Sequence, residues 1–265
     1  MGSVAPTLNR LRQSLAGLDP SLTPALPGGS REVGIDPGID AVLGGGLSCA
    51  ALHELAPAGP LHLGAASGFA LALASIASSG SRPVLWIGTD FAAAEAGEPY
   101  GPGLDLFGVS SANLIMLRVP KPVDVLWAME ESLRCRALSC VVAELTGEGT
   151  VADLTATRRL SLAAREGAST RISGFGLLIR HNATATPSAA ATRWSIAPAL
   201  SRPDGYGGLG RVRFDLSLCK NRRGSAGRWI IEWDHHEHVF LKALPVGVAP
   251  ALVDRSDRAP LVQIG

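Results

Sequence analysis

Charge is scarce in this chain. Asp, Glu, Lys and Arg make up 18% of its 265 residues and cancel to a formal net charge of +1. No overall field therefore draws the molecule to nucleic acid. Aromatic residues are few, at 5%. The four cysteines, Cys49, Cys135, Cys140 and Cys219, show no C-x-x-C spacing and read as reduced cytosolic thiols, mostly buried. Arg10 and Arg12 lie near the N-terminus without a hydrophobic region leading to a cleavage site, so no signal peptide is expected. Residues 60–81 hold no formally charged group, yet Gly64, Ser67, Gly68, Ser75, Ser78 and His62 interrupt them. That stretch reads as a loop and a buried helix rather than a membrane span.

What is present is enough for one main domain: 46% of the residues are hydrophobic. Leu8, Leu11, Leu15 and Leu18 form one stripe of a short helix over residues 7–18, a candidate partner-docking helix. Residues 21–30, rich in Pro and Gly, read as a linker, and a short helix over 36–43 is stopped by Gly44-Gly45-Gly46. From residue 50 to 180, apolar strands at 52–55, 83–87, 114–117, 140–145 and 176–179 alternate with helices at 67–79, 124–135 and 150–166, with a helical turn at 104–107. This alternation predicts an α/β fold with a mainly parallel sheet flanked by helices. Residues 183–191 read as loop. Strands at 192–196, 212–220, 228–233 and 239–244 follow, several alternating with period two, which predicts a C-terminal antiparallel extension. The expected organisation is an N-terminal helix and linker at 1–30, a main domain at 31–244 and a flexible tail at 245–265.

The motif with the most chemical content is Gly59-Pro60-Leu61-His62-Leu63-Gly64-Ala65-Ala66. It has the spacing of a phosphate-binding loop, G-x-x-x-x-G-K-[ST], between a strand and a helix. Its two ionic residues are missing. Ala65 stands where a lysine reaches the β- and γ-phosphates, and Ala66 where a hydroxyl holds magnesium. Losing both removes the charge compensation that a triphosphate needs. ATP is therefore expected not to be hydrolysed and to bind weakly if at all. Asp90 and Glu144 are further carboxylates at strand ends, and their bland reading is that they face solvent or local N–H groups.

Three other features carry lesser signals. Arg211, Arg213, Lys220, Arg222, Arg223 and Arg228 form a local positive excess, relieved within that stretch only by Asp215; they are candidate contacts to DNA phosphates or an acidic partner. Trp229 and Trp233 are the stacking candidates there, although an alternating strand places at least one in a core. His235, His236 and His238, with Asp234 and Glu237, invite a metal reading, but adjacent residues on a strand point to opposite faces and no distant fourth ligand suggests itself, so an exposed hairpin turn is expected.

The order of these elements resembles the RecA ATPase core. The run Gly34-Ile35-Asp36-Pro37-Gly38-Ile39-Asp40-Ala41-Val42-Leu43-Gly44-Gly45-Gly46-Leu47 is similar to the segment that leads into its first strand and phosphate loop. Ile87-Gly88-Thr89-Asp90 falls where RecA proteins place a catalytic glutamate, and Val141-Val142-Ala143-Glu144 at the Walker-B strand. Residues 177–182 fall at the strand that senses the γ-phosphate. Cys219-Lys220-Asn221-Arg222 is similar to the lysine-asparagine-lysine segment that reaches a neighbouring subunit's nucleotide. Finer features look like the ImuA family, which is RecA-like and related to SulA: Val84-Leu85-Trp86, Tyr100-Gly101-Pro102-Gly103-Leu104, residues 126–131, 153–160 and 188–194, and Trp229-Ile230-Ile231-Glu232-Trp233-Asp234. The resemblance covers about residues 30 to 240.

The resemblance implies a RecA-like fold and a non-catalytic accessory role in SOS-induced error-prone translesion synthesis. The implied partners are an ImuB-type Y-family polymerase homologue and RecA, and indirectly an error-prone DnaE-class polymerase and the sliding clamp. No cofactor and no membrane are implied, DNA would be at most a weak partner, and the implied location is the cytoplasm, at the nucleoid when induced. Two alternatives remain open at this stage. One is a SulA-like inhibitor of cell division. The other is a divergent DNA-dependent ATPase whose lysine, Lys121 or Lys220, comes in trans.

Overall fold

The computed structural model describes residues 31–78, 82–145, 150–168, 174–181, 186–203, 208 and 210–243. The helix expected over residues 7–18, the linker at 21–30 and the tail at 245–265 lie outside the described residues. A small two-stranded lid precedes the main sheet. β1 (Glu32–Val33) pairs antiparallel with β2 (Leu47–Ser48), and α1 (Pro37–Leu43) lies between them. Asp36 caps α1 by accepting the Gly38 N–H at 2.9 Å, and Pro37 occupies the first turn, where its missing N–H costs nothing. The helix ends on Gly44 at φ 77, followed by Gly45 at φ 124 and Gly46 at φ 135. A Cβ on Gly46 would sit 2.8 Å from the Val33 carbonyl oxygen. The glycine run is thus required twice, by its backbone angles and by the approach to β1.

The main sheet contains β3 (Leu52–Pro57), β4 (Val84–Thr89), β5 (Leu114–Val119), β6 (Cys140–Leu145), β7 (Gly176–Arg180), β8 (Thr192–Pro198), β9 (Arg213–Asn221), β10 (Gly227–Asp234) and β11 (Val239–Lys242). Its order is β11-β10-β9-β8-β3-β7-β6-β4-β5. From β8 to β5 every pairing is parallel; from β8 to β11 every pairing is antiparallel. The alternation read from the sequence is thereby realised as one continuous sheet.

Helices cover both faces. α2 (Leu63–Ser78) lies on one, where Phe69 and Leu73 are buried against Trp194, Phe214 and Phe240. α5 (Pro122–Leu133) and α6 (Leu154–Ala168) lie on the other, burying Met129, Leu133 and Leu160. Short helices α3 (Asp90–Ala96) and α4 (Gly101–Leu106) follow β4. The helical stretch Pro60–Ser78 has the length and apolarity to cross a membrane. Here those apolar residues form the centre of a core: nine residues of α2 are buried, and each large side chain withdrawn from water contributes about 1.5–3 kcal/mol.

Local differences from the sequence reading have simple causes. The helix expected over 150–166 is split, with a 3₁₀ turn at Thr150–Ala152 before α6. Asp153 makes the break, because its carboxylate accepts the Ala156 N–H at 2.7 Å and starts a new helix. α2 starts earlier than residue 67 because a 3₁₀ turn at Pro60–His62 feeds straight into it.

Candidate functional site

The β3–α2 connection sits at the carboxyl end of a parallel strand, and the chain then passes over β7 and β6 to reach β4. Such a crossing opens a crevice in which open α/β sheets bind ligands. The loop itself is tight. The Ala58 N–H donates to the Ile196 carbonyl at 2.8 Å, and the His62 N–H to the Gly59 carbonyl at 3.0 Å. Leu61 stands at its tip, 95% exposed. Ala66 is fully buried and belongs to the core around Phe69, with Ala65 packed beside it. The position that would hold a magnesium-binding hydroxyl is therefore a packing position in this chain.

Beside the loop lies a cleft of about 350 Å³ lined by the start of α2, by Trp86, by the α3–α4 connection and by Glu144. Its charged lining residues are Glu95, Glu98 and Glu144. None of the chain's three lysines, Lys121, Lys220 and Lys242, lines it. Of the residues named for the degenerate loop, Gly64 and Glu144 line this cleft, whereas Gly59, Ala65, Ala66 and Asp90 do not. Asp90 is exposed and begins α3 behind its Thr89 cap, which accepts the Ala92 N–H at 3.0 Å.

Glu144 departs from the bland reading of a strand-end carboxylate facing solvent. It is only 6% exposed, and its Oε1 has no hydrogen-bond partner among the described residues. Burial pushes its carboxyl up to about 7, opposed by the Trp86 indole. The nearest cationic candidate is His181, whose Nε2 is 3.9 Å away and likewise unpartnered. That separation is too long for a hydrogen bond, and burial lowers the His181 pKa, which favours the neutral ring. We therefore read the contact as a neighbouring pair, not an ion pair.

The basic residues of β9 and β10 are mostly matched within the fold. Arg213 makes a two-pronged bond to Glu232 at 3.0 and 2.8 Å, and Arg211 meets Glu232 at 3.4 Å and Asp234 at 2.6 Å. Arg223 reaches Glu32 at 2.7 Å, and Arg228 pairs with Asp215 at 2.8 Å. Asp215 is therefore one of four carboxylates relieving the excess, because strand register and the β1 lid bring in Glu232, Asp234 and Glu32. The Lys220 ammonium donates to the Ser188 carbonyl. Asn221 donates to the Val42 carbonyl at 3.0 Å, so the segment similar to the RecA lysine-asparagine-lysine run clamps the chain's own α1. Arg222 has its N–H on the Ala191 carbonyl, and burial lowers its pKa. Trp233 is buried with its indole N–H on the Leu106 carbonyl at 2.8 Å, and Trp229 packs on Trp194. Trp233 is therefore a core residue, and Trp229 is partly buried against the same core. His238 stacks on Trp233, and among the described residues no group of three metal-ligating side chains converges.

One constellation escaped the sequence reading. Glu54, in the middle of β3, is fully buried. Its carboxylate accepts from Arg193 at 2.7 Å, Arg180 at 3.0 Å and Ser188 at 2.7 Å. Both guanidinium groups continue to Thr186, Arg180 to its hydroxyl at 2.9 Å and Arg193 to its carbonyl at 2.8 Å. The signal was a lone glutamate in an apolar strand run, which demands a buried cation. The partners came from β7 and β8, far away in sequence.

Searching family models found no match to this chain. Among curated proteins, Protein ImuA of Caulobacter vibrioides strain NA1000 / CB15N is 31% identical over 223 residues, 77% of this chain and 85% of that protein. Protein ImuA of Caulobacter vibrioides strain ATCC 19089 / CIP 103742 / CB 15 matches to the same extent. Among solved structures, the RadB recombinase superposes with a TM-score of 0.51 at 12% identity, covering 78% of this chain and 97% of that one. The structural likeness establishes a RecA-like fold, and the length and level of the sequence match place the chain in the ImuA family.

Proposed function

We propose that this chain is a non-hydrolysing, RecA-shaped accessory protein of damage-induced error-prone translesion synthesis. It works by contacts with an ImuB-type Y-family polymerase homologue and with RecA, and through them with the DnaE-class polymerase and the sliding clamp. Its place is the cytoplasm, at the nucleoid when induced. Family membership supports the mutagenic role. The observation that carries the non-hydrolysing part is the loop at Gly59–Ala66, with Ala65 and Ala66 packed against the core and a carboxylate-lined cleft beside them. Phosphoryl transfer needs cations and a metal to neutralise charge developing on the phosphates. This cleft presents carboxylates instead.

The competing ATPase reading takes its lysine from another molecule. Lys121 is exposed at the start of α5, whereas Lys220 is held on Ser188. Purified protein, with and without single-stranded DNA, RecA and the ImuB-type partner, should release no phosphate from ATP above background. It should still pull down RecA and the ImuB-type protein equally well with and without ATP. Turnover lost on Lys121→Ala would establish the trans ATPase. Binding to neither partner, together with filamentous growth on expression without damage, would favour a SulA-like inhibitor.

A further inference from the structure

The cleft beside Gly64 suits positive charge. Glu95, Glu98 and Glu144 line it, and no lysine or arginine does. An adjoining hollow, which shares Trp86, Glu98 and Glu144, contains Arg118, but that guanidinium is paired with Glu98. Glu95 is exposed on α3 without a partner among the described residues. Glu144 is buried at the cleft wall, and its Oε1, which faces the His181 Nε2 at 3.9 Å, has no hydrogen-bond donor among the described residues. A buried acceptor left without a donor is unfavourable, so this carboxylate gains from an incoming donor.

We propose that this cleft receives an arginine side chain of a protein partner, with Glu144 as its buried anchor and Glu95 as a second carboxylate near the mouth. The chemistry of the lining selects this ligand over the others. An anion would meet carboxylates and a cation already engaged. A metal ion needs several ligands around one point, and among the described residues no three His, Cys, Asp or Glu converge. A guanidinium spreads five donors over a rigid plane and bonds separated carboxylates at once. A volume of about 350 Å³ lies within the range of built ligand pockets and accommodates the side chain. The raised affinity of Glu144 for a proton, about 7 at its midpoint, is the same demand for positive charge met by the smallest available cation.

The inference deepens the adaptor reading and rests on it in one respect, that the cleft does not serve Mg·ATP. The test uses full-length protein with ¹³C-labelled glutamate, the Glu144 carboxyl resonance being assigned by its loss in Glu144→Gln. The probe is the peptide acetyl-Gly-Arg-Gly-amide, with its citrulline counterpart, neutral but nearly isosteric, as control. Arginine peptide at concentrations on the order of millimolar to tens of millimolar should lower the Glu144 titration midpoint by about one pH unit or more, a tenfold or larger change. Citrulline peptide should leave it unmoved. Glu95→Lys, on an exposed helical position, should weaken the arginine effect several-fold without altering thermal melting. An unmoved midpoint with the arginine peptide, or an equal movement with citrulline, overturns the proposal. A separate arm adds Mg·ATP alone: saturable binding there overturns the adaptor reading, while the arginine arm decides the cleft's ligand independently.

Discussion

His53 and Glu144 oppose each other in their effect on stability. His53 is fully buried in β3, with its Nε2 donating to the Ser48 carbonyl at 3.0 Å. The Trp194 indole donates to the Thr192 hydroxyl at 2.9 Å, and that hydroxyl stands 2.8 Å from His53 Nδ1. The ring is thereby fixed as the neutral tautomer that accepts at Nδ1. Burial lowers its pKa from 6.5 to about 4. Between those values the unfolded chain takes up a proton that the folded one refuses, so the stability contributed by the neutral ring is lost as pH falls. Glu144 runs the other way. Its folded pKa of about 7 lies above the ordinary 4.5, so its contribution is complete below 4.5 and is lost as pH rises through 7. Each effect has a ceiling of about 3 kcal/mol. In the parent protein these two effects largely cancel between pH 4.5 and 6.5, and the lowered His181 adds a further loss as pH falls. Glu144→Gln removes one side of the balance. We expect it to be more stable than the parent by roughly 1–3 kcal/mol at pH 8 and to lose stability steadily from pH 6.5 to 4.5. Urea midpoints at stepped pH check this. A variant that tracks the parent across the range would show that Glu144 is not desolvated.

Strands and helices were legible where a single element carried its own pattern, and illegible where two elements had to meet. The run Cys140–Leu145 reads as a buried strand because its apolar residues leave no polar face, and it is a central strand. The glycine stop after α1 was legible because only glycine takes the observed angles. The cleft was half legible. Gly64 and Glu144 follow from the loop spacing and the strand end, but Glu95 and Glu98 come from the helix and loop after β4, whose folding back towards α2 leaves no local pattern. The basic patch misled because period two gives the face of a strand but not its register. The pairing of Arg213 with Glu232 across β9 and β10 decides that charge. Glu54 shows the same limit, since it joins β3 to β7 and β8 through Arg180 and Arg193. Removing this carboxylate should therefore weaken three strands together. Glu54→Leu leaves two guanidinium groups buried without a counter-charge and should cost about 3–5 kcal/mol. Glu54→Gln keeps one acceptor oxygen, enough for one guanidinium and Ser188 although its NH2 then faces the other guanidinium, and should cost less. Denaturant unfolding that ranks the two variants the other way would mean that the retained acceptor does not support the network.

At the scale of the whole molecule, the RecA-like fold is retained although the loop at Gly59–Ala66 has Ala65 and Ala66 where a phosphate-binding loop has lysine and a hydroxyl. On the adaptor proposal, partner contacts can lie both at the cleft and on segments outside it. We propose that Leu8, Leu11, Leu15 and Leu18 belong to such a segment, because RecA proteins dock an N-terminal helix on the next subunit and this chain resembles them over its core. It precedes β1, and the described body from residue 31 onward already closes its own core with α2 beneath the sheet. Deleting residues 1–25 should accordingly leave the circular dichroism spectrum and the melting transition of the body unchanged while abolishing capture of RecA in a pull-down. Replacing the four leucines by alanine in the full chain should do the same, which separates a docking role from a mere loss of length. RecA capture that survives both changes would place the contact on the body. Exposed residues such as Trp127 and Ile115, on α5 and on the edge strand β5, would then be the next positions to substitute.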